Sequence, residues 1–180
     1  VTRFRFYTAS SIDGFLADAA DNLDWLFTQP IDENGPLNYK EFIADVGVVV
    51  MGATTYEWIL ARNARTGEAW QYTQPTWIFT HRQLRPIAEN VHIVAGEPTD
   101  FRQTLIDAAG DKDVWIVGGG DLATQFADAG LLDDLVICYA PVTLGAGRPL
   151  FTKPYDLELR ELDRNKAFIM ARYDVVGARQ

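Results

Sequence analysis

Near the start of the chain, "RFRFYTAS" alternates polar and apolar positions with period two, the pattern of a strand with one face buried. Later runs, "VGVVVMG", "TWIFT", "VHIV", "VWIVGG" and "LVICYAPV", are apolar almost throughout, as strands covered on both faces are. Between them, apolar residues recur at helical spacing over Asn38–Ala44, Thr55–Leu60, Asp100–Ala109 and Asp121–Ala129. Alternating strands and helices predict a largely parallel sheet with helices on both sides. The tail departs from this pattern. "DLELRELDRNKAFIMARYDVV" reads as two alternating strands around a polar turn at Asp163–Lys166, where Asn165 suits a left-handed conformation. The expected architecture is an α/β domain, a mostly parallel central sheet flanked by helices and finished by an antiparallel C-terminal hairpin. No repeat, low-complexity tract or linker divides the 180 residues, so a single domain over 1–180 is expected.

Composition narrows the function classes. An aromatic content of 12% and a nearly half apolar chain exclude disorder. A net charge of −9 argues against nucleic acid and anionic membrane as partners, since both need a basic surface. An anionic ligand therefore requires a local cluster of donors. Cys138 is the single cysteine, so no intrachain disulfide forms, and its apolar setting "LVICYA" marks it as a core thiol. "VGVVVMGA" is too short to span a bilayer, and "VTRFRFYTAS" lacks the apolar core of a signal peptide. These features point to a soluble cytoplasmic enzyme.

The stretch "VWIVGGGDLATQF" carries the candidate chemistry: a strand, three glycines, then an amphipathic helix. Gly118, Gly120 and Ala123 fit the spacing of a dinucleotide fingerprint. That fingerprint normally opens a domain and has an acidic residue at the end of the next strand; here Asp133 and Asp134 come before a strand. A Rossmann site, another phosphate turn and a plain tight turn all remain open on these residues alone. A second strand–glycine–helix junction stands at Gly52, Ala53, Thr54 and Thr55. Free helix N–H groups and two hydroxyls there suit a phosphate, while Thr54 acting as an ordinary N-cap is the simpler alternative.

Taken together, five ordered motifs resemble the dihydrofolate-reductase-like superfamily, in particular the reductase domain of bacterial riboflavin biosynthesis. They are "ASSIDGFLADAADNLDWL", "VVVMGATTYEWI", "TWIFTHR", "VWIVGGGDLATQF" and "APVTLGAGRPLF", spread over about residues 3–175. The resemblance implies an NADPH-dependent reductase that passes a hydride to a C=N or C=O bond of a small pterin-, pyrimidine- or flavin-like substrate. It assigns Ala9, Leu16 and Ala17 to the nicotinamide ring. Gly52, Ala53, Thr54 and Thr55 go to the phosphates, with Phe79, Thr80, His81 and Arg82 at the adenosine end. The last phosphate turn comprises Val117, Gly118, Gly119, Gly120, Asp121, Leu122 and Ala123, with a cis peptide at Gly118–Gly119. Ala53 stands where the family often has a phosphate-binding arginine, and His81, Arg82 and Arg85 are the replacements. A homodimer through an apolar sheet or tail surface is also implied.

The proton donor departs from the family pattern. The first-helix carboxylate of dihydrofolate reductases aligns with Asn38, or with Pro36 by an ungapped count, and neither is an acid. Asn38, Trp25 and Asp13 are the catalytic candidates, Asn38 as a ring-orienting amide, Trp25 through a held water, and Asp13 either as an acid or as a turn cap. Asp32, Glu33 and Tyr39 are further proton sources. The loop "FLADAADNLDW" holds three aspartates and no base, which disfavours a phosphate ester, so a neutral heterocycle near Trp25, Phe27, Asn38 and Tyr39 is expected. Two alternatives stand beside this reading: a riboflavin-pathway 5-amino-6-(5-phosphoribosylamino)uracil reductase, and a dinucleotide- or flavin-binding protein without catalysis.

Overall fold

A computed structural model describes residues 1–180. The chain opens with β1 (Phe4–Ser10) and β2 (Phe15–Ala17), then the short helices α1 (Asp24–Phe27) and α2 (Tyr39–Ala44). There follow β3 (Val46–Gly52), α3 (Ala53–Thr66), β4 (Thr76–Phe79), β5 (Val91–Val94), α4 (Pro98–Ala109), β6 (Asp113–Gly118), α5 (Gly120–Asp128) and β7 (Asp134–Tyr139). A two-residue strand, β8 (Arg148–Pro149), precedes the closing hairpin of β9 (Tyr155–Asn165) and β10 (Phe168–Ala178). The main sheet runs β5-β4-β3-β6-β1-β7-β10-β9, and β2 pairs with β8 in a separate ribbon. All pairings from β5 to β7 are parallel, and β10 joins β7 and β9 antiparallel. The expected architecture is therefore present.

Strand alternation divides the core into two layers. Val48 and Val50 of β3 face one side with Leu105, Leu122 and Phe126 of α4 and α5. Val49 and Met51 face the other with Phe42, Tyr56 and Ile59 of α2 and α3. Cys138 lies in this second layer, where burial pushes its thiol up to about 11, consistent with an inert core residue.

The helices differ in how they begin. Asn38 caps α2 by accepting from the Glu41 N–H, and Glu97 with Asp100 forms a capping box at α4. By contrast, α3 and α5 start from Gly52 and Gly119 with no side-chain cap. Thr54 is thus not the N-cap of α3. That helix also runs past Leu60 to Thr66, because the alanines and arginines of 61–66 are good helix formers even without a large apolar face; it stops at Gly67, with φ +76°.

The tail hairpin turns as expected, with one correction. Lys166, at φ +49°, is left-handed, not Asn165. Asn165 is buried and reaches across the molecule. Its Oδ1 accepts from the Asp32 N–H at 2.8 Å and its Nδ2 donates to the Asp32 carbonyl at 2.9 Å.

Candidate functional site

A cavity of about 740 Å³ opens at the carboxyl ends of β3, β4 and β6, where parallel α/β sheets place their ligands. Its floor is built by the two uncapped helices. Gly52, Ala53, Thr54 and Thr55 line it from α3, and Val117, Gly118, Gly119, Gly120, Asp121 and Leu122 from β6 and α5. The Gly118–Gly119 peptide is cis. Unpartnered N–H groups at two helix starts aimed into one cavity make a strong anion cradle without net positive charge. Ala123, by contrast, is fully buried in the core beneath α5 and does not reach the cavity.

The residues expected at the adenosine end stand at the exit of β4. Phe79, Thr80, His81 and Arg82 line the cavity, and the Arg82 N–H is held by Thr80 Oγ1 at 3.0 Å. The Arg82 guanidinium meets Glu57 through one nitrogen, Nη1, at 3.0 Å to each carboxylate oxygen. Arg85 is not on the cavity wall; its carbonyl accepts from the Tyr56 hydroxyl.

At the opposite half, Leu16 and Ala17 line the cavity, joined by Thr8 and Leu23. Ala9 points into the second core layer, because its neighbour Thr8 occupies the cavity-facing position of β1. Beyond this half lie Trp58, Ile59, Gln71 and Tyr72. Burial raises the pKa of Tyr72, which keeps its hydroxyl protonated. The remaining wall includes Arg148, Pro149 and Thr152, with Asp21 facing Arg148.

None of the three catalytic candidates lines this cavity. Asn38 is 2% exposed and its whole amide is engaged: Oδ1 accepts from Glu41 N–H at 2.9 Å and Nδ2 donates to the Gly35 carbonyl at 2.8 Å. Trp25 donates its indole N–H to the Asn22 carbonyl at 3.0 Å. Asp13 accepts from Ser11 Oγ at 2.6 Å, Gly145 N–H at 2.7 Å and Leu144 N–H, and these hydrogen bonds hold its carboxyl at about 2. It is therefore ionised at neutral pH and ties the first loop to the 144–145 turn. Tyr39 stacks edgewise near Trp115 and Tyr7, and burial raises its pKa.

Gln71 and Tyr72 lie in an irregular connection and had no signal in the sequence. Arg148 stands within the motif "APVTLGAGRPLF" but carried no assigned role; only the fold brings these residues to the glycine turns. Gly147 and Gly120 make that wall possible. A Cβ on Gly147 would sit 2.1 Å from the Ala17 carbonyl oxygen, and one on Gly120 would sit 2.2 Å from the Pro149 carbonyl oxygen. The cavity's size, paired helix starts and basic groups all fit an extended dinucleotide phosphate.

Comparison with known proteins agrees with this geometry. A family model of the RibD C-terminal domain matches residues 4–167. The uncharacterized protein YwjB of Bacillus subtilis (strain 168) is 30% identical over 146 residues, 81% of this chain and 80% of its own length. Among solved structures, a protein of Shewanella sp. PV-4 provisionally named for riboflavin biosynthesis superimposes with a TM-score of 0.81 at 24% identity, covering 96% of this chain and 98% of its own. A dihydrofolate reductase from Enterococcus faecalis complexed with NADP(H) gives 0.59 at 15% identity, covering 97% and 96%. At such identities the superpositions establish a common fold.

Proposed function

The chain belongs to the RibD C-terminal domain family and has the dihydrofolate-reductase-like fold, and on that footing we propose that it is an NADPH-dependent reductase of a small, neutral heterocycle. The observation that carries the reading is the pair of uncapped helix starts, at Gly52 and Gly119, facing one cavity. Bound NADPH supplies the hydride for a C=N or C=O carbon. The amides of α3 and α5 and the hydroxyls of Thr54 and Thr55 bind its phosphates. Arg82 receives the 2′-phosphate through the nitrogens that Glu57 leaves free. Leu16, Ala17, Leu23 and Val117 exclude water around the nicotinamide, as close hydride transfer needs.

The substrate ring occupies the end formed by Trp58, Ile59, Gln71 and Tyr72, an uncharged surface with one amide and one neutral phenol for orientation. A ribose-phosphate substrate of the riboflavin pathway would need a cation there, and these four side chains provide none. The proton comes from water. Of the cavity carboxylates, Asp21 is engaged by Arg148 and Asp121 sits on the first turn of α5. The second reading, a dinucleotide-binding protein without turnover, is favoured by one observation: Asn38, at the position expected for the acid, is an amide tied to the Glu41 N–H and the Gly35 carbonyl, and no carboxylate of α1 or α2 lines the cavity.

Titration with NADPH and NADH, followed by tryptophan quenching, tests the proposal. Micromolar NADPH affinity, about tenfold weaker for NADH and lowered to the NADH level by Arg82→Ala, is expected. Absence of binding by both dinucleotides to the folded protein overturns it, and NADPH binding without turnover of any heterocycle selects the second reading.

A further inference from the structure

The two arginines of the cavity wall are held differently. Arg82 meets Glu57 with Nη1 alone, so Nε and Nη2 stay free for a ligand. Arg148 presents both Nε and Nη2 to Asp21, at 2.6 Å to Oδ1 and 3.0 Å to Oδ2, so the forked face that matches a phosphate is already occupied by a carboxylate. The backbone under Arg148 is fixed. β8 is wedged between β2 and the start of α5, with the glycines at 147 and 120 allowing both close approaches. The backbone at Pro149 lies against Gly120, so Arg148 roots on the stretch of wall that adjoins the start of α5 and lines the same cavity as Gly119 and Gly120.

Asp21 is held in place as well. It adopts φ +59° in a turn that Asp18 organises by accepting from the Ala20 and Asn22 N–H groups at 2.8 and 2.9 Å. The same segment contributes Ala17 and Leu23 to the nicotinamide half. The Asp21–Arg148 pair thus straps the loop over one half of the cavity to the wall of the other.

We propose that Arg148 is a ligand of the cofactor diphosphate and that Asp21 is its competitor, so that binding exchanges the carboxylate for a phosphate and frees the 18–23 loop from the 147–149 wall. This inference rests on the dinucleotide reading of the cavity. Both partners are solvent-exposed, with side chains 56% and 37% accessible, and an ion pair so exposed holds weakly. A diphosphate at two helix starts offers the same fork more charge in a more enclosed setting. The exchange is therefore downhill once the cofactor is seated, and it couples occupation of the phosphate end to movement of the loop beside the nicotinamide.

The test is a double-mutant cycle on NADPH affinity, with 2′-AMP as a control ligand that lacks the diphosphate. Arg148→Gln is expected to weaken NADPH about tenfold and leave 2′-AMP unchanged. Asp21→Asn is expected to tighten NADPH about threefold in the wild-type background and not in the Arg148→Gln background. Equal tightening in both backgrounds would mean that Asp21 acts only as a nearby negative charge, and it overturns the exchange. Unchanged NADPH affinity in Arg148→Gln overturns the ligand role. Failure of the folded wild-type protein to bind NADPH is a different result, since it removes the dinucleotide reading itself.

Discussion

The Asn38 amide satisfies a backbone donor of α2 and a backbone acceptor at Gly35 in a site with almost no solvent. Leaving either group unpaired costs roughly 1–2 kcal/mol. Asn38→Ala should therefore lower the stability by about 1–2 kcal/mol in urea unfolding, while NADPH affinity stays within about twofold. Asn38→Asp should keep the cap and recover part of the loss. A large fall in affinity with unchanged stability would return Asn38 to the ligand site. Sequence reasoning located this residue because a proline and an amide near the first helix are visible along the chain. The capping role was missed although its partner, the Glu41 N–H, is only three residues on; the Gly35 bond, which depends on how the loop folds back, was not visible along the chain. The turn residue of the tail was misplaced for a similar reason: Asn165 suits a left-handed turn, but its long-range contacts with Asp32 take precedence and leave that conformation to Lys166.

Among the elements, the strand–glycine–helix junctions of β3–α3 and β6–α5 were readable because each is continuous in sequence and needs small residues at fixed offsets. The wall that closes the site showed only through the family motifs that contain it, not through any periodicity. α1, β2 and β8 are four, three and two residues long, too short for any period to show. Their presence is betrayed by the close approach they impose on the readable part. A methyl group on Gly120 has no room against the Pro149 and Leu150 carbonyls, whereas one on Gly119 meets nothing within 4 Å. Gly120→Ala is expected to cost about 1–3 kcal/mol and to abolish NADPH binding as β8 is pushed from α5; Gly119→Ala should leave the thermal unfolding temperature unchanged. Equal stability of the two variants would show that β8 does not press on α5.

At the scale of the molecule, the closing hairpin has two unlike faces. Leu157, Leu159 and Leu162 of β9 stand opposite Val175, Tyr173 and Ala171 of β10 and, with Ile169, form an apolar stripe on the face of α5. The other face carries the ion pairs of Arg160 and Arg172 with Asp174. We propose that a second copy of the chain covers the stripe, since the same apolar strip on each copy pairs across a two-fold axis while the charged face stays in water. Sedimentation should report twice the 20.2 kDa chain mass, and Leu159→Glu with Leu162→Glu should halve it without unfolding. A wild-type monomer at tens of micromolar overturns this. The alternation that predicted the hairpin was plain in the sequence, but alternation marks a half-buried strand without saying whether the chain itself or a partner supplies the cover.

The order of strands in the main sheet also governs how the protein is made. β1 is synthesised well before both of its neighbours and yet lies inside the sheet, with Arg5 between Trp115 of β6 and Asp134 of β7. A nascent chain on the ribosome therefore carries the strand "FRFYTAS" with no neighbour until β6 is complete at Gly118 and with only one until the chain has grown past Tyr139, and the Asn165 clasp on the early loop closes later still. Contacts so distant in sequence form slowly and leave sticky edges exposed meanwhile. Assembly of the sheet around β1 is thus delayed until β7 has left the exit tunnel, and that interval is when a chaperone would be needed most.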